Sequence, residues 1–352
     1  MQNKPEISVV LPCRNEENGL PFCLEQIQKT IKENNLSAEI IISDSSTDKS
    51  PEIALRFAQD KQENFNVILV KHDKEGYGMA YLEAFKIAKG KYIFMADADA
   101  SYSFKEVPKF IKELENGFDM AIGNRFAGKI QANAMTFSHK YIGNPILSFI
   151  LRLFFRTKIR DSQCGMRAIK NDLLKKLNLQ TTGMEFASEM IVKALKNDLK
   201  IKELPIDYFP RKGKSKMHSL SDAWRHIRFM LLYSPLYLFL LPGIIIFIFG
   251  IAMYFLNHRY ASSLLVITGY QLITFSGFSK IYSITHLGEQ DKILEKLFKY
   301  ITIERAGVLG IILVVAGFFV FKNSILALTL MVLGVQTIFS AFMMSILGIK
   351  EK

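Results

Sequence analysis

The sequence predicts an α/β domain built on a mostly parallel sheet, followed by an all-α transmembrane domain of four helices. In the first part, short β-rich runs alternate with helical patterns, which is typical of a parallel sheet covered on both faces. Residues 1–228 also mix charged with apolar residues, whereas the last third contains four charge-free stretches. We therefore predict a soluble domain at residues 1–228 and a membrane domain at 229–352.

The alternation in the first part can be followed from Ile7 to Ala96. The predicted elements are strand Ile7 to Leu11, helix Leu20 to Lys32, strand Glu39 to Ser43, helix Pro51 to Asp60, strand Asn66 to Lys71, helix Gly78 to Lys89 and strand Tyr92 to Ala96. Ligands of such sheets bind at the carboxyl ends of the strands. The loops after Leu11, Ser43 and Ala96 should therefore converge on one crevice.

The four charge-free stretches have the composition of membrane spans, which need about 20 apolar residues each. They are residues 230–256, 261–279, 306–321 and 324–349, and the third is short. A buried helical hairpin of a soluble core is the alternative, which four successive stretches disfavour. The short apolar run at Ile7 does not have the length of a secretory signal. Positive charge in the connector and tail predicts a cytosolic head on an integral membrane protein; these residues are Lys280, Lys292, Lys296, Lys299, Arg305, Lys350 and Lys352.

The formal net charge of +12 fits nucleic acid, an anionic membrane surface or phosphate-bearing substrates. Four predicted spans favour the membrane and phosphate interpretations, so we predict no nucleic-acid partner. Only three cysteines occur, without metal-ligand spacing or an even-numbered disulfide framework. They are consistent with a reducing cytosol.

The loop after the strand Tyr92 to Ala96 contains Asp97-Ala98-Asp99. Residues two apart on an extended segment point to the same side, so both carboxylates can face one Mg²⁺ or Mn²⁺ that a diphosphate also holds. A solvated turn is the alternative for these three residues taken alone. Their position after a buried strand favours the metal site.

Two further polar loops belong to the same predicted crevice. Residues 43–50 carry short hydroxyl and carboxylate side chains, which suit a turn and helix start or, through Asp44, contact with a nucleotide. After the first strand, Pro12 sets the exit of the backbone and Glu16 is placed to reach the nucleotide. Alone, each is an ordinary polar loop.

Together these segments resemble the family 2 glycosyltransferases of the GT-A fold, over about Ile7 to Arg228. The motifs are Pro12-x-x-Asn15-Glu16, Asp44-Ser45-Ser46-Thr47-Asp48, Gly76-Tyr77-Gly78-Met79-Ala80 and Asp97-Ala98-Asp99. Downstream motifs resemble the branch of dolichyl- and polyprenyl-phosphate hexose synthases; these are residues 122–126, 161–167 and 210–216. Ser43 departs from the two acids that open the second motif in many relatives. The Gln-x-x-Arg-Trp signature of processive synthases is absent.

The resemblance implies a role for each matching residue. Asp97 and Asp99 are the metal ligands, and Asp161 lies near the acceptor phosphate, orienting it or serving as a base. The donor-binding set is Pro12, Glu16, Asp44, Gly76, Asp97 and Ala98. The acceptor-binding set is Arg125, Arg167, Arg211, Ser215 and Lys216, joined by His139 and Lys140 from a stretch at residues 137–160 whose apolar and basic residues suit interfacial helices.

These residues predict a single, inverting sugar transfer from a nucleotide-sugar to polyprenyl or dolichyl phosphate. A phosphate monoester is largely ionised at neutral pH, so the site needs cations more than a strong base. Gln163-Cys164-Gly165 resembles the glucose-loading relatives, which favours UDP-glucose over GDP-mannose as the donor.

Two alternatives remain from the sequence. One is another membrane lipid acceptor with a hydroxyl group, which requires a true base and makes Asp161 decisive. The other is a catalytically silent scaffold or lipid-carrier translocation partner, which intact Asp97 and Asp99 disfavour. The second pair of spans is compatible with contacts in a homo-oligomer, with positioning of the lipid or with its movement.

Overall fold

The computed structural model describes residues 4–59, 65–213, 219–286, 302–320 and 324–348. The chain divides into two compact units, Met1–Met230 and Leu231–Lys352. Several residues named above lie outside the described part: the predicted acceptor ligands Ser215 and Lys216, and the charged residues Lys292, Lys296, Lys299, Lys350 and Lys352.

A seven-stranded sheet organises the first unit, in the order β3-β2-β1-β4-β6-β5-β7. Its strands are β1 Ile7–Cys13, β2 Ala38–Asp44, β3 Phe65–Lys71, β4 Tyr92–Met95, β5 Met120–Asn124, β6 Arg167–Lys170 and β7 Ile201–Pro205. All neighbours are parallel except β6, which is antiparallel to both β4 and β5. The prediction of a mostly parallel sheet is confirmed. The antiparallel strand was not anticipated.

Helices cover the sheet because their apolar residues recur on one face. In α1, the buried residues include Leu24, Ile27 and Ile31, spaced three and four apart, which places them on one side of the helix. The helices of this unit are α1 Leu20–Glu33, α2 Ser50–Gln59, α3 Tyr77–Phe85, α4 Val107–Glu115, α5 Asn144–Phe155, α6 Asn171–Lys176, α7 Phe186–Lys196 and α8 Ser219–Leu232. The central strands β1 and β2 are mostly apolar, since both of their faces are buried.

The second unit is helical. A π-helical turn at Leu236–Leu240 leads into α9 Leu241–Phe255, and α10 Arg259–His286, α11 Ile303–Phe319 and α12 Ser324–Leu347 follow. Within the described residues, three segments are long and apolar enough to cross a membrane, namely Leu236–Phe255, Arg259–Thr285 and Ser324–Leu347. The third predicted span corresponds to α11, whose 17 residues reach about 26 Å, short of a bilayer core of about 30 Å.

Two bounds of the candidate spans differ from the prediction by more than two residues. The first apolar segment begins at Leu236 rather than at residue 230, because Met230 is fully buried and belongs to α8 of the first unit. The second span continues to Thr285, past Lys280, since one charged residue near the end of a long helix does not stop it.

Small residues let the helices of the second unit pack closely. A Cβ atom at Gly269 would lie 2.5 Å from the backbone nitrogen of Phe247, and one at Gly334 would lie 2.5 Å from the carbonyl oxygen of Gly310. Polar pairs join α10 to α12: Ser263 with Thr329 at 2.7 Å, Tyr270 with Thr337 at 2.6 Å and Gln271 with Gln336 at 2.8 Å. Small residues and interhelical hydrogen bonds are how helices associate in lipid.

Candidate functional site

The strand directions bring six polar segments to one edge of the sheet. β1, β2 and β4 are mutually parallel, so their carboxyl ends share that edge. β6 runs the opposite way, so the segment before it meets the ends of β4 and β5 there. β7 is parallel to β5, which brings the segment after Pro205 to the same edge. We call the site formed by these segments the carboxyl-edge crevice.

Asp97 and Asp99 lie in this crevice directly after β4. The hydroxyl of Tyr77 donates to Asp97 Oδ1 at 3.1 Å. The backbone NH and the hydroxyl of Ser101 donate to Asp99 Oδ1 at 3.0 and 2.5 Å, and Asp99 is 8% exposed. Burial, followed by the negative charge of Asp99, raises the pKa of Asp97 to about 7. The pair therefore carries negative charge that its surroundings compensate only in part.

The chemistry of this pair fits a divalent cation. Carboxylate oxygens are the ligands that Mg²⁺ and Mn²⁺ prefer, and a cation would relieve the repulsion that raises the pKa of Asp97. Within the described ranges, no group of three or more His, Cys, Asp or Glu side chains is arranged to hold a metal. Asp97 and Asp99 are the two carboxylates that would hold such an ion, and this metal site stays a prediction.

The loops after β1 and β2 are joined by side-chain hydrogen bonds. Asn15, at φ 52°, accepts from the backbone of Thr47 at 2.7 Å and donates from its own NH to Ser46 Oγ at 2.7 Å. Ser46 in turn donates to Asp44 Oδ1 at 2.6 Å. These bonds hold Asp44 and the loop of Glu16 at neighbouring positions on the crevice.

Beside Asp44 lies an open cavity of about 430 Å³, lined by residues of the loops after β2 and β3. The lining residues are Asp44, Ser45, Ser46, Pro51, Lys71, His72 and Asp73. His72 Nδ1 donates to the carbonyl of Lys74 at 2.8 Å, and its Nε2 lies within hydrogen-bond distance of Ser43 Oγ, at 3.1 Å. His72 was not predicted, because a single histidine after a strand carries no motif.

The backbone conformation at Gly76 favours glycine. Its φ of 136° is strained for other residues, and a Cβ atom there would lie 2.3 Å from the carbonyl oxygen of Thr182. The turn positions Tyr77, whose pKa is raised by burial and by Asp97, so its hydroxyl keeps the proton that it donates.

Pro12 pairs with Ser43 between β1 and β2, and Ala98 is 1% exposed. Donor contact by Gly76, Pro12 and Ala98 stays a prediction.

Asp161 and Arg125 form a closed ion pair. Asp161 is fully buried, and Arg125 is 6% exposed. The guanidinium donates from Nε to Asp161 Oδ2 at 2.8 Å and from NH2 to Oδ1 at 2.7 Å, and the Arg125 backbone NH adds a bond of 2.9 Å to Oδ2. Burial lowers the pKa of Arg125, but Asp161 more than offsets this, and the pKa lies above its ordinary value. Both oxygens of Asp161 thus accept from Arg125. A role of Asp161 near the acceptor phosphate and of Arg125 as a phosphate ligand stays a prediction.

Arg167 is also buried, at 1% exposure. Its guanidinium donates to three backbone carbonyls, those of Cys164 at 2.9 Å, Ala187 at 2.7 Å and Ser162 at 3.0 Å. A side chain held in this way fixes the loop before β6 against α7. The contacts of Arg167 are those of a positioning residue, and its binding to the acceptor phosphate stays a prediction.

Arg211 differs from both, because it reaches the crevice from its side. Its NH2 donates to Glu16 Oε1 at 3.0 Å, and its Nε lies 3.7 Å from Asp99 Oδ2. The side chain is 27% exposed. Among the predicted acceptor ligands within the described residues, Arg211 is the one with a direct ion-pair contact to Asp99.

His139 and Lys140 lie in a π-helical turn, His139–Gly143, before α5. Their contacts are local: His139 Nδ1 is 2.9 Å from Thr136 Oγ1, and Lys140 Nζ lies 5.3 Å from the ring centroid of Tyr141. Neither is brought to the crevice by these contacts. Their role toward lipid phosphates stays a prediction.

Two residues that shape the crevice were missed from the sequence. The hydroxyl of Tyr102 accepts from the backbone NH of Gly165 at 2.9 Å, and Glu203 Oε1 accepts from the backbone NH groups of Arg160 and Asp161 at 2.7 and 3.0 Å. Gly165 in turn leaves room for Asp97, because a Cβ atom there would lie 2.9 Å from Asp97 Oδ2. Such supports lie far along the chain from the motifs that they hold.

The fold is of the GT-A type. The structure is similar to that of glucosyl-3-phosphoglycerate synthase from Mycobacterium tuberculosis, solved with Mn²⁺, UDP-glucose and phosphoglyceric acid, with a TM-score of 0.51. The alignment covers 65% of this chain and 80% of that one at 16% identity, so the likeness is one of fold.

Sequence comparisons identify the family. The family model of glycosyl transferase family 2 matches residues 8–177. The chain is 35% identical over 377 residues to the low-salt glycan biosynthesis hexosyltransferase Agl6 of Haloferax volcanii, covering 98% of this chain and 89% of that protein. It is 25% identical over 214 residues to a dolichyl-phosphate hexose transferase of the same organism, covering 60% and 86%. The chain belongs to glycosyl transferase family 2, as its motifs predict.

Proposed function

We propose that this glycosyltransferase moves one hexose, with inversion, from a nucleotide-sugar to the phosphate of a polyprenyl or dolichyl phosphate. The observation that carries the choice of acceptor is the closed Asp161–Arg125 pair. A hydroxyl acceptor needs a base to remove its proton, whereas a phosphate monoester arrives largely ionised. Asp161, with both oxygens accepting from Arg125, is poorly suited to be that base, which favours the phosphate.

In the proposed reaction, a phosphate oxygen of the acceptor forms the new bond to the anomeric carbon as the bond to the donor diphosphate breaks. Asp97 and Asp99 would hold a divalent cation, which would supply charge neutralisation for the leaving diphosphate. Tyr77 keeps Asp97 oriented through its hydrogen bond of 3.1 Å, and Ser101 does the same for Asp99. Arg211 attracts the acceptor phosphate, assisted by Ser215 and Lys216 as the family motif implies.

For the donor we propose UDP-glucose, with GDP-mannose as the alternative. The nucleotide base of the donor would occupy the cavity beside Asp44 and His72, and Glu16 would lie toward the diphosphate. The glucose choice rests on Gln163-Cys164-Gly165. The two Haloferax relatives are named a hexosyltransferase and a dolichyl-phosphate hexose transferase, names consistent with a hexose donor and a lipid-phosphate acceptor.

The test is a transfer assay on the purified full chain. The protein is incubated with Mn²⁺ and radiolabelled UDP-glucose or GDP-mannose, and with polyprenyl phosphate, the unphosphorylated polyprenol or diacylglycerol, before lipid extraction. We expect label in the lipid phase with UDP-glucose and polyprenyl phosphate only. Equal labelling of polyprenol would refute the phosphate acceptor. Absence of labelled lipid from every donor, beside a working control enzyme, would favour the silent scaffold.

We also propose that the head contacts the membrane through α5 and the turn before it, on the cytosolic face. One side of α5 packs inward through Leu147 and Leu151. The opposite side presents large apolar residues to solvent: Phe137 at 73%, Tyr141 at 58%, Ile142 at 52%, Ile146 at 49%, Phe149 at 56% and Leu153 at 47% exposed. We call these six residues the apolar face.

The charge around the apolar face points to anionic lipid as its partner. From residue 120 to residue 160 the sequence contains no Asp or Glu, while its cations include Lys140, Arg152, Arg156 and Lys158. An apolar surface flanked only by positive charge is the pattern of helices that lie in the headgroup region of anionic bilayers. The cytosolic side also follows from the positive-inside argument for the connector and tail.

Quenching in proteoliposomes tests this contact. The native Trp224 is replaced by Phe, and a single Trp is introduced at Phe149 or, as a control, at Leu55 on α2, which is 46% exposed. Brominated phosphatidylglycerol should quench the F149W signal and leave the L55W signal largely unchanged. Unquenched F149W fluorescence in a correctly reconstituted, active protein would contradict the contact.

A further inference from the structure

Arg211 lies between two carboxylates that belong to different loops of the carboxyl-edge crevice. It donates to Glu16 Oε1 at 3.0 Å, and its Nε lies 3.7 Å from Asp99 Oδ2 without a hydrogen-bond partner among the described residues. The long Nε distance shows an electrostatic contact rather than a hydrogen bond. The guanidinium is therefore bonded to Glu16 and attracted to Asp99.

The oxygen of Asp99 that faces Arg211 is also the oxygen left for a cation. Asp99 Oδ1 already accepts from the NH and the hydroxyl of Ser101. Of the two carboxylate oxygens, Oδ2 is therefore the one better able to bind a metal ion. A metal at Oδ2 and the guanidinium at 3.7 Å would place like charges in adjacent positions, which repel strongly where water is partly excluded.

The backbone around Arg211 is tied to the same loop, so the side chain is the part that can move. The backbone NH of Lys212 donates to the Asp99 carbonyl at 2.8 Å, and that of Phe209 donates to the Ser101 carbonyl at 3.0 Å. Arg211 thus keeps its attachment point beside the metal site whichever way its guanidinium turns.

We propose that Arg211 is an internal counter-cation of the metal site, which disfavours binding of a divalent cation alone and thereby couples the metal to the donor diphosphate. The diphosphate brings negative charge that stabilises the cation and the guanidinium together. Arg211 then turns from Asp99 toward phosphate oxygens and becomes available to the acceptor. This inference rests on the proposed metal site at Asp97 and Asp99.

The test measures Mn²⁺ binding rather than turnover. Free Mn²⁺ is titrated by electron paramagnetic resonance against the full chain in detergent, with and without UDP. Removing the opposing charge with R211Q should tighten binding of Mn²⁺ alone roughly tenfold and shrink the gain that UDP produces by a similar factor. By linkage, Mn²⁺ should also improve UDP binding less in R211Q than in the native protein.

Lys212 provides a matched control. K212Q removes the same charge one residue further on, from a side chain whose Nζ lies 4.1 Å from the ring centroid of Phe22 rather than beside Asp99. We expect K212Q to bind Mn²⁺ as the native protein does. R211K, which retains the charge, should keep the weak binding of Mn²⁺ alone, and far-UV circular dichroism checks that each variant is folded.

The outcomes separate this inference from the proposed function. Equal tightening in R211Q and K212Q would reveal a general charge effect and overturn the role of Arg211, as would unchanged or weaker Mn²⁺ binding in R211Q. In both cases the metal site itself would stand. Failure of the folded native protein to bind Mn²⁺ even with UDP would instead overturn the metal site and the inference with it.

Discussion

Two arginine–carboxylate contacts in the crevice look alike in the sequence and differ in the structure. Arg125 and Asp161 are buried and joined by two side-chain hydrogen bonds and one from the backbone. Arg211 is 27% exposed and makes one hydrogen bond to Glu16 and a 3.7 Å contact with Asp99. Both oxygens of Asp161 accept from Arg125 in the first pair, whereas the Nε of Arg211 has no hydrogen-bond partner among the described residues. The two contacts therefore differ in the burial of the arginine, which is 6% exposed for Arg125 and 27% for the side chain of Arg211.

The largest effect should come from breaking the closed pair. D161N leaves the Arg125 guanidinium buried without its counter-charge, which costs about 3–5 kcal/mol of unfolding free energy. E16Q, the same chemical change at the contact with Arg211, should cost less, because the Arg211 side chain is 27% exposed and keeps its access to water. Thermal unfolding in detergent, followed by circular dichroism, measures both. Similar losses of stability in the two variants would remove the distinction between the contacts.

D99A should affect activity more than stability, whereas D161N should affect stability strongly. D99A removes a proposed metal ligand and should lower the transfer rate by at least about 10³-fold, or about 4 kcal/mol. The loss of stability should be smaller than that of D161N, because the NH and hydroxyl of Ser101 lose their acceptor but no buried charge loses its partner. The labelled-lipid assay measures the rate, and unfolding is measured in parallel. A D99A protein that transfers sugar at more than a tenth of the native rate would be incompatible with a metal ligand at Asp99.

R211Q should act on the acceptor while leaving the fold intact. Loss of a charge-assisted contact with phosphate should lower kcat/KM for polyprenyl phosphate about 10- to 100-fold, although Mn²⁺ alone binds more tightly. K212Q serves as the charge-matched control and should stay near the native value. A fall in kcat/KM that is equal in both variants would assign the effect to net charge instead of to Arg211.

Salt should produce the smallest effect and still distinguish the two contacts. Raising the ionic strength from about 0.05 M to about 0.5 M shortens the Debye screening length to a few ångströms. KM for polyprenyl phosphate should then rise about two- to fivefold, because Arg211 is partly exposed. The stability difference between native protein and D161N should change little, because that pair is buried. An unchanged KM across this range would indicate that Arg211 contributes little attraction.

The alternation of strands and helices allowed the sheet and its crevice to be predicted, because parallel strands bring their carboxyl ends to one edge wherever they occur. Asp44, Asp97 and Asp99 could be assigned to that edge for this reason. The antiparallel β6 could not, since its four residues, Arg167–Lys170, show no pattern that distinguishes their direction. Asp161 lies at the crevice only because β6 begins there.

Sequence by itself determined the residue types, their order and the local backbone: the strand before Asp97, the glycine turn at Gly76 and the apolar helices of the second unit. These follow from periodicity and steric limits acting over a few residues. Tertiary structure alone decided which charges meet. Arg125 finds Asp161 across 36 residues, and Arg211 finds Glu16 across 195. Whether each pair is closed or open depends on the burial around it, and burial is a property of the packed chain.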